Sequence, residues 1–361
     1  MLPQIANHIQ NRLNRRYAPL SLVHFVTNRC NARCSHCFID FAPERTHADE
    51  LTLDDIGRVA RSLGSGLYNV NLTGGEPFLR EDMPDIVACY ASATKAQSIV
   101  ITTNGWFTDA IRRSAERYRH CSSTCRITYS ISLDDIRERH DGSRNLTGLY
   151  DRALESYRLM SSWSDPRISA TVALTVTPEN ASQIENIYRS LKAAGVTSVF
   201  PVLLREEGVL RTIADRESLC QAYGRLTRLI DRSREPFKHG RRIAEAAHRA
   251  KNRIVHQILG NNETTGRFHI PCAAGASFAT IMADGSVAPC ELLALRHPMG
   301  NLRENDMKFS GIWNSVRAHQ VRRSIRENRC HCTFECAWTV NVLARPVFWP
   351  RLAFTTLREL L

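Results

Sequence analysis

The chain has 361 residues, of which 43% are hydrophobic, and this is enough apolar material for one large or two moderate domains with packed cores. Its first twenty residues lack the apolar stretch of a signal peptide, and nowhere do about eighteen apolar residues run together as a membrane-spanning helix requires. The formal net charge is +12, but the basic residues are widely spread and no RNA-binding motif accompanies them. These properties predict a soluble cytoplasmic protein without a nucleic-acid partner.

From about residue 20, short β-branched runs alternate with helical patterns. The predicted strands cover residues 21–27, 68–75, 98–105, 127–135, 168–180 and 197–204. The predicted helices between them cover residues 51–66, 82–97, 108–121 and 181–195. Strands and helices that alternate this regularly predict βαβ units and a parallel sheet. We therefore predict an α/β fold built as a partial (β/α)6 TIM-type barrel.

Chemically unusual residues follow the carboxyl ends of the predicted strands. They are a cysteine loop after the first strand and the segments GGE, TNG, SLDD and TPEN after later ones. In βα barrels, active sites are built at this face. The pattern therefore predicts an active site at the open end of the barrel.

The chain divides into four predicted parts. These are an N-terminal helical segment (1–17), the barrel (18–215), a charged helical linker (216–262) and a C-terminal α+β extension (263–361). The last twenty-four residues are rich in Trp, Phe and Leu, and we expect a helix or loop that covers the barrel. Peripheral contact with a membrane or docking to a partner is the alternative for this segment.

Twelve cysteines require an explanation, because disulfides are rare in a reducing cytoplasm. Eight of them fall into two groups, which are Cys30, Cys34 and Cys37, and then Cys272, Cys290, Cys330, Cys332 and Cys336. The other four, Cys89, Cys121, Cys125 and Cys220, are expected to be structural.

The first group places three thiols in a loop directly after a strand, where they can converge on one soft metal centre. Zinc is an alternative on spacing alone, with His36 as a further ligand beside Cys37. A four-iron cluster held by only three cysteines leaves one iron open for a reactant, as a catalytic metal site requires.

The pattern Cys30-x3-Cys34-x2-Cys37, with the aromatic ring of His36 before the last cysteine and GGEP at residues 74–77, resembles the radical S-adenosylmethionine (SAM) enzymes. The resemblance covers most of the chain. It implies that the three cysteines hold a 4Fe–4S cluster whose fourth iron binds SAM. Reductive cleavage of SAM then gives a 5′-deoxyadenosyl radical, which abstracts a hydrogen atom from the substrate. An external one-electron reductant of the flavodoxin or ferredoxin type is implied as a partner.

The same resemblance assigns cofactor-binding roles to the second strand and to the cysteine loop. Gly74, Gly75 and Glu76 match the motif that receives the methionyl ammonium group, where glycines let the backbone approach and a carboxylate pairs with the cation. His36 is expected to pack near the adenine.

Further matches lie on later strands. Thr103 and Asn104 resemble the family's third-strand motif, although both could be ordinary turn residues. Ser132 and Asp134 match positions that contact the ribose or the carboxylate of the cofactor. Arg144 is expected to balance the methionyl carboxylate, with an exposed surface charge as the alternative.

The second cysteine group resembles the SPASM or twitch extension of this family. Its first half follows a C-x12-G-x4-C pattern, in which the ADG turn forms a hairpin that brings Cys272 and Cys290 together. The second half departs from the full SPASM pattern, so five cysteines imply a single auxiliary 4Fe–4S cluster. We expect Cys272, Cys290 and Cys336 as the firmer ligands, with Cys330 and Cys332 competing for the fourth position. Zinc bound by four of these thiolates is the alternative.

The leading function predicted is hydrogen abstraction from a small molecule, with oxidation, epimerisation or bond formation as the outcome. The single auxiliary site resembles that of twitch-type dehydrogenases, which implies a substrate related to sugars or cyclitols, with a lipid precursor as a further small-molecule option. The basic charge favours an anionic substrate. Peptide modification, the reaction of maturases that act on ribosomally made peptides (RiPPs), is the alternative. It ranks second because such enzymes often carry more cysteines and a domain before the barrel. A non-catalytic iron–sulfur electron carrier or metal-binding module would not need the GGEP segment.

Overall fold

The computed structural model describes residues 18–39, 49–64, 66–121, 123–205, 215–233, 242–265, 270–330 and 332–361. The predicted helical segment at 1–17 lies outside these residues. All structural statements below concern the described part of the chain.

The described residues form one nine-stranded sheet with the spatial order β6-β5-β4-β3-β2-β1-β7-β8-β9. The strands are β1 Ser21–Thr27, β2 Asn69–Gly74, β3 Ser98–Thr103, β4 Arg126–Ser132, β5 Ile168–Val176, β6 Val199–Leu203, β7 Phe278–Ile281, β8 Ser286–Ala288 and β9 Gly300–Asn301. The first six strands pair in sequence order and are all parallel. This confirms the predicted α/β class with a parallel barrel-type sheet.

Helices follow the strands and cover the outside of the sheet. They are α1 Leu53–Ser62, α2 Met83–Ala93, α3 Thr108–Arg119, α4 Arg137–Arg144, α5 Leu149–Ser161, α6 Ile184–Ala193, α7 Arg216–Arg232, α8 Arg242–Thr265, α9 Phe309–Trp313, α10 Val316–Glu327, α11 Glu335–Ala344 and α12 Trp349–Leu360. Local sequence explains the clearest helix start. Thr52 and Asp55 form a reciprocal capping box at α1, which satisfies two backbone donors of its first turn.

Alternation along β2 separates the packed side of the sheet from the barrel interior. On β2, Val70 and Leu72 are fully buried in the hydrophobic core. The alternate side chains, Asn69, Asn71 and Thr73, are only partly buried, and Asn69 donates to Asn71 at 2.9 Å. Because a strand alternates its faces with a period of two, the barrel interior beside β2 is polar.

The C-terminal extension continues the barrel sheet. Strand β7 pairs in parallel with β1, and the antiparallel hairpin of β7 and β8 turns at Gly285, which has φ +87°. Helix α11 ties this extension to the opposite edge of the sheet, because Glu335 accepts the N–H of Leu203 on β6 at 2.7 Å. The extension that carries the second cysteine group therefore contacts both edges of the six-stranded parallel sheet, β1 and β6.

The last helix, α12, packs against α8. The predicted packing of this segment on the barrel stays a prediction. Arg351 donates to Gln257 at 2.7 Å, and Arg253 pairs with Glu359 at 2.9 Å. Phe354 on this helix is 62% exposed. None of the described helices combines the length and the apolar character needed to cross a membrane.

Candidate active site

The cysteine loop follows β1 and is held in place by the end of α4. The N–H of Arg33 donates to the carbonyl of Arg144 at 3.0 Å, and the N–H of Ser35 donates to the carbonyl of Ser143 at 2.9 Å. The loop borders an open cavity of about 180 Å³ at the carboxyl ends of the strands. Its lining includes all three cysteines together with His36, Gly74, Gly75, Thr103, Asn104, Ser132 and Arg144. Residues predicted from five separate segments therefore meet at one site.

The thiols of this loop form an electron-rich donor set. Burial, together with the nearby charges of Glu76, Cys34 and Cys37, raises the pKa of Cys30 to about 12. Burial also raises the pKa values of Cys34 and Cys37. Three thiolates can coexist here only if a strong positive charge compensates them, and iron supplies such a charge. The donor set therefore fits an iron–sulfur cluster.

The arrangement also bears on the zinc alternative. Among the described residues, no three His, Cys, Asp or Glu side chains converge closely enough to hold a single metal ion. A four-iron cluster takes each thiolate on a separate iron and so tolerates wider spacing. The cluster is the better fit for the cysteines of this loop.

The end of β2 approaches the cysteine loop so closely that only glycine fits. A Cβ atom on Gly74, which has φ +147°, would lie 2.1 Å from the carbonyl oxygen of Thr27. A Cβ atom on Gly75 would lie 2.0 Å from the carbonyl oxygen of Arg29. The N–H groups of Gly75 and Glu76 donate hydrogen bonds of 2.8 Å to the carbonyl oxygens of Thr27 and Arg29, respectively, and stabilise this contact. The two glycines thus bring bare backbone to the cavity wall.

Glu76 is fully buried behind this wall. Its carboxylate accepts hydrogen bonds from the N–H of Phe78 at 3.0 Å, the hydroxyl of Thr103 at 2.7 Å and the N–H of Asn104 at 2.7 Å. Burial raises the pKa of Glu76 to about 7, although these hydrogen bonds oppose the shift. The contact observed for this carboxylate therefore joins the ends of β2 and β3. Its predicted contact with a methionyl ammonium group stays a prediction.

Thr103 and Asn104 do more than end β3. The Asn104 amide donates to the side chain of Asn31 in the cysteine loop at 2.8 Å, and its oxygen accepts the N–H of Trp106 at 2.9 Å. The third strand is therefore fixed to the cysteine loop by the side chain that the motif supplies.

A buried ion pair lies beside the cysteines. Two nitrogens of Arg144 donate to the same oxygen of Asp134, one of them at 2.9 Å, and the His36 ring nitrogen lies 3.3 Å from that oxygen. Burial opposes ionisation, but the charge of Arg144 and the hydrogen bond from His36 hold the pKa of Asp134 well below its ordinary value. Arg144 also points a nitrogen at the Cys34 sulfur, 3.7 Å away. The surface-charge alternative for Arg144 is wrong, because the residue is buried.

The buried thiols of the second cysteine group act electrostatically on one another. The charges of Cys272 and Cys330 act on the buried Cys290 thiol, and those of Cys272, Cys290 and Cys330 act on the buried Cys332 thiol. In both cases burial is the largest cause of the raised pKa, and the neighbouring thiols contribute in the same direction. Four thiols thus lie within electrostatic reach of one another.

Cys336 has other neighbours. Its sulfur accepts a hydrogen bond from Asn71 of β2 at 3.5 Å. Burial raises its pKa to about 11, and the strongest charges acting on it are those of Arg205, Glu335 and Lys251. The ligand set of the auxiliary cluster, with Cys336 ranked above Cys330 and Cys332, stays a prediction.

Sequence reasoning missed a charged residue of the cavity wall. Arg205 follows β6 and lines the cavity beside the three cysteines. The available signal was its position, because it stands after the carboxyl end of a strand like the other site residues. Its partners, Glu291 and Glu335, are distant in sequence and carried no motif.

Comparison with known proteins agrees with this geometry. A model of the Radical SAM superfamily matches residues 25–191, and a model of the iron-sulfur cluster-binding SPASM domain matches residues 272–337. Together they match more than half of the chain. The chain therefore belongs to the radical SAM enzymes. Its C-terminal part is a SPASM domain, so a 4Fe–4S cluster, SAM and an auxiliary iron–sulfur cluster are its cofactors.

Two relatives cover most of the chain. Over 318 residues it is 25% identical to Fe-coproporphyrin III synthase of Methanosarcina barkeri, covering 81% of this chain and 72% of that protein. Over 330 residues it is 24% identical to the sporulation killing factor maturation protein SkfB of Bacillus subtilis, covering 90% of this chain and 71% of that protein.

Solved structures show the same fold. Streptococcus suis SuiB bound to the precursor peptide SuiA matches with a TM-score of 0.62 at 16% identity, covering 87% of this chain and 69% of that one. The protein anSMEcpe with bound AdoMet matches with a TM-score of 0.60 at 15% identity, covering 94% and 96%.

Proposed function

We propose that this enzyme binds its catalytic 4Fe–4S cluster through Cys30, Cys34 and Cys37 and takes a hydrogen atom from a peptide substrate. The observation that carries the first part is that all three thiols open into the same cavity as the Gly74–Gly75 strand end. An electron carrier has no use for such a cavity, because it needs no room for a second reactant.

When bound, the cluster and SAM supply the electron and the 5′-deoxyadenosyl radical. The protein contributes position and electrostatics. Gly74 and Gly75 offer backbone to the methionyl end of the cofactor, and Arg144 supplies a positive charge beside Cys34. His36, held by Asp134, gives an oriented ring for the adenine side. The loop and strand ends enclose the reacting groups and limit access of water.

The charges of the cavity wall support a peptide over an anionic small molecule. Its two arginines are each bound to carboxylates, Arg144 to Asp134 and Arg205 to Glu291 and Glu335. Neutral hydroxyl and amide side chains from the barrel strands also line the cavity. They are those of Thr73, Thr102, Thr103, Asn104, Ser132 and Thr175. Neutral donors and acceptors of this kind suit amide groups. Similarity to SkfB, a maturation protein, supports the same choice.

The route of a peptide to the site is restricted at the edge of the sheet. Within the described chain, β6 is a terminal strand, but Pro201 lacks an N–H group and the N–H of Leu203 is already bound by Glu335. Such features block the addition of another strand. The peptide is therefore expected to enter through the cavity mouth and not by extending the sheet.

Transfer of deuterium tests the substrate class. The reconstituted enzyme is incubated anaerobically with SAM, a reductant and deuterated candidate precursor peptides, and 5′-deoxyadenosine is analysed by mass spectrometry. The proposal predicts deuterium in 5′-deoxyadenosine and a modified peptide. Active SAM cleavage without transfer from any peptide, but with transfer from a deuterated small-molecule extract, would reject the peptide assignment alone.

A small-molecule substrate, the outcome ranked first from the sequence, is the second candidate. The relative named Fe-coproporphyrin III synthase supports it. The extract arm of the same assay tests it directly.

A further inference from the structure

Arg205 lies between the two cysteine regions. Its guanidinium pairs with Glu291 and lies 3.7 Å from a carboxylate oxygen of Glu335. The guanidinium carbon lies 4.2 Å from the ring centroid of Phe334 and 5.7 Å from that of Phe38. Both ring contacts fall within the range of cation–π attraction.

Three of these partners, Phe38, Glu291 and Phe334, lie next to a proposed cluster ligand. Phe38 follows Cys37 of the catalytic loop, and Glu291 follows Cys290 of the auxiliary set. The N–H of Phe334 donates to the Cys332 sulfur at 3.5 Å. One side chain therefore contacts residues that flank ligands of both sites.

The charges of this group are largely removed from solvent. The side chains of Arg205, Glu291 and Glu335 are 14%, 6% and 2% exposed. One positive and two negative charges leave the group with a formal charge of −1 beside the auxiliary thiols. Charges in such surroundings act over several ångströms with little screening.

We propose that Arg205 sets the reduction potential of the auxiliary cluster by offsetting Glu291 and Glu335. The inference rests on the proposed function, because it requires an auxiliary cluster on thiols of the second cysteine group. Reduction adds one electron from the external one-electron reductant to that cluster. A neighbouring positive charge favours the reduced state, and a neighbouring carboxylate disfavours it. Arg205 is therefore a positioning and tuning residue, not a catalytic one.

Charge variants test the proposal in the reconstituted full chain by redox titration followed by electron paramagnetic resonance. The auxiliary signal is the one that SAM does not change. Arg205→Gln should shift its midpoint potential to more negative values, whereas Arg205→Lys should stay near the native value. Glu291→Gln, which retains Arg205, should shift the potential in the positive direction. The double variant R205Q/E291Q restores the formal charge of −1 and should return towards the native value.

Arg167→Gln is the matched control. Arg167 also pairs with a carboxylate, that of Asp165, and stacks 4.8 Å from the Tyr118 ring. It precedes β5 and so lies at the opposite end of the sheet from the clusters. Its variant should leave the auxiliary potential unchanged.

Two results would overturn the proposal. The first is that the auxiliary clusters of Arg205→Gln and Glu291→Gln both have the same midpoint potential as that of the Arg167→Gln control. The second is that Arg205→Lys shifts the potential as much as Arg205→Gln. That result would indicate that Arg205 has a purely structural role that does not depend on its charge. If Arg205→Gln fails to fold, the midpoint potential of Glu291→Gln still tests the proposal, because it should shift in the positive direction. A native chain with only about four irons would reject the auxiliary ligand set itself. Failure to modify any peptide would contradict the proposed substrate class but would not affect the result of the redox titration.

Discussion

Arg144 shows how one residue can serve both the fold and the site. It is enclosed beside the cysteine loop, where its charge is balanced by Asp134 and its backbone carbonyl holds the loop through Arg33. Removing one partner of a buried ion pair leaves the other charge without compensation, which is more damaging than losing a surface pair.

Arg144→Ala should therefore reduce the free energy of unfolding by about 3–5 kcal/mol. Urea denaturation of the apo chain measures this change. Arg189→Ala, which removes an exposed pair with Glu185 on α6, should change stability little. Equal effects of the two substitutions would show that the Arg144 pair is not enclosed as described.

At this scale, the sequence was sufficient for residues that belong to a motif. The three cysteines and the two glycines were found because their spacing carries the chemistry. Arg205 was not found, because its contacts with Glu291 and Glu335 join residues far apart in sequence. No local pattern encodes which of five cysteines the fold brings together.

The turn after β2 is the element on which the site geometry depends most. Its backbone hydrogen-bonds to the start of the cysteine loop, and no side-chain atom fits between the two. The strand end and the loop therefore hold their positions jointly.

Gly75→Ala should disrupt this contact, because its Cβ would overlap the carbonyl oxygen of Arg29. We expect a loss of stability of at least about 1–3 kcal/mol, together with loss of SAM binding measured by anaerobic calorimetry. Gly142→Ala is the control. Gly142 lies in α4 with open space around its Cα, so alanine should stabilise the chain by about 0.5–1 kcal/mol and leave SAM binding intact.

The strands of the barrel were predictable because β-branched runs alternate with amphipathic helices. Helices α4 and α5 were not predicted, although they lie between β4 and β5. Helix α4 has the sequence RERHDGSR, and its buried residues are His140 and Arg144, so it shows no apolar periodicity. The pairing of β7 with β1 was also missed, because contacts between strands so distant in sequence depend on the whole fold.

Across the whole molecule, buried histidines make stability depend on pH. His24 on β1 is fully buried, with its Nδ1 atom 2.8 Å from the Tyr90 hydroxyl. Burial, together with the charge of Arg80, lowers the pKa of His24 to about 3. Burial similarly lowers the pKa of His140 to about 3.

A histidine whose pKa is lower in the folded state contributes stability above its unfolded pKa of about 6.5, and this contribution is lost as pH falls towards 3. Each such group adds a slope of about 1.4 kcal/mol per pH unit. His24→Phe should therefore reduce the loss of unfolding free energy between pH 6 and pH 4.5 by about 2 kcal/mol. Urea denaturation at several pH values measures it. Identical slopes for the native chain and the variant would contradict the burial of an uncharged His24.

The central claim is that one cysteine loop serves catalysis while a separate set of thiols holds the auxiliary cluster. Anaerobic reduction of the reconstituted chain with SAM tests it most directly, with 5′-deoxyadenosine and iron measured in the same sample. The native chain should hold about eight irons and release 5′-deoxyadenosine. Replacing Cys30, Cys34 and Cys37 together by Ala should leave about four irons and abolish the product. An iron-loaded native chain that forms no 5′-deoxyadenosine would contradict the account.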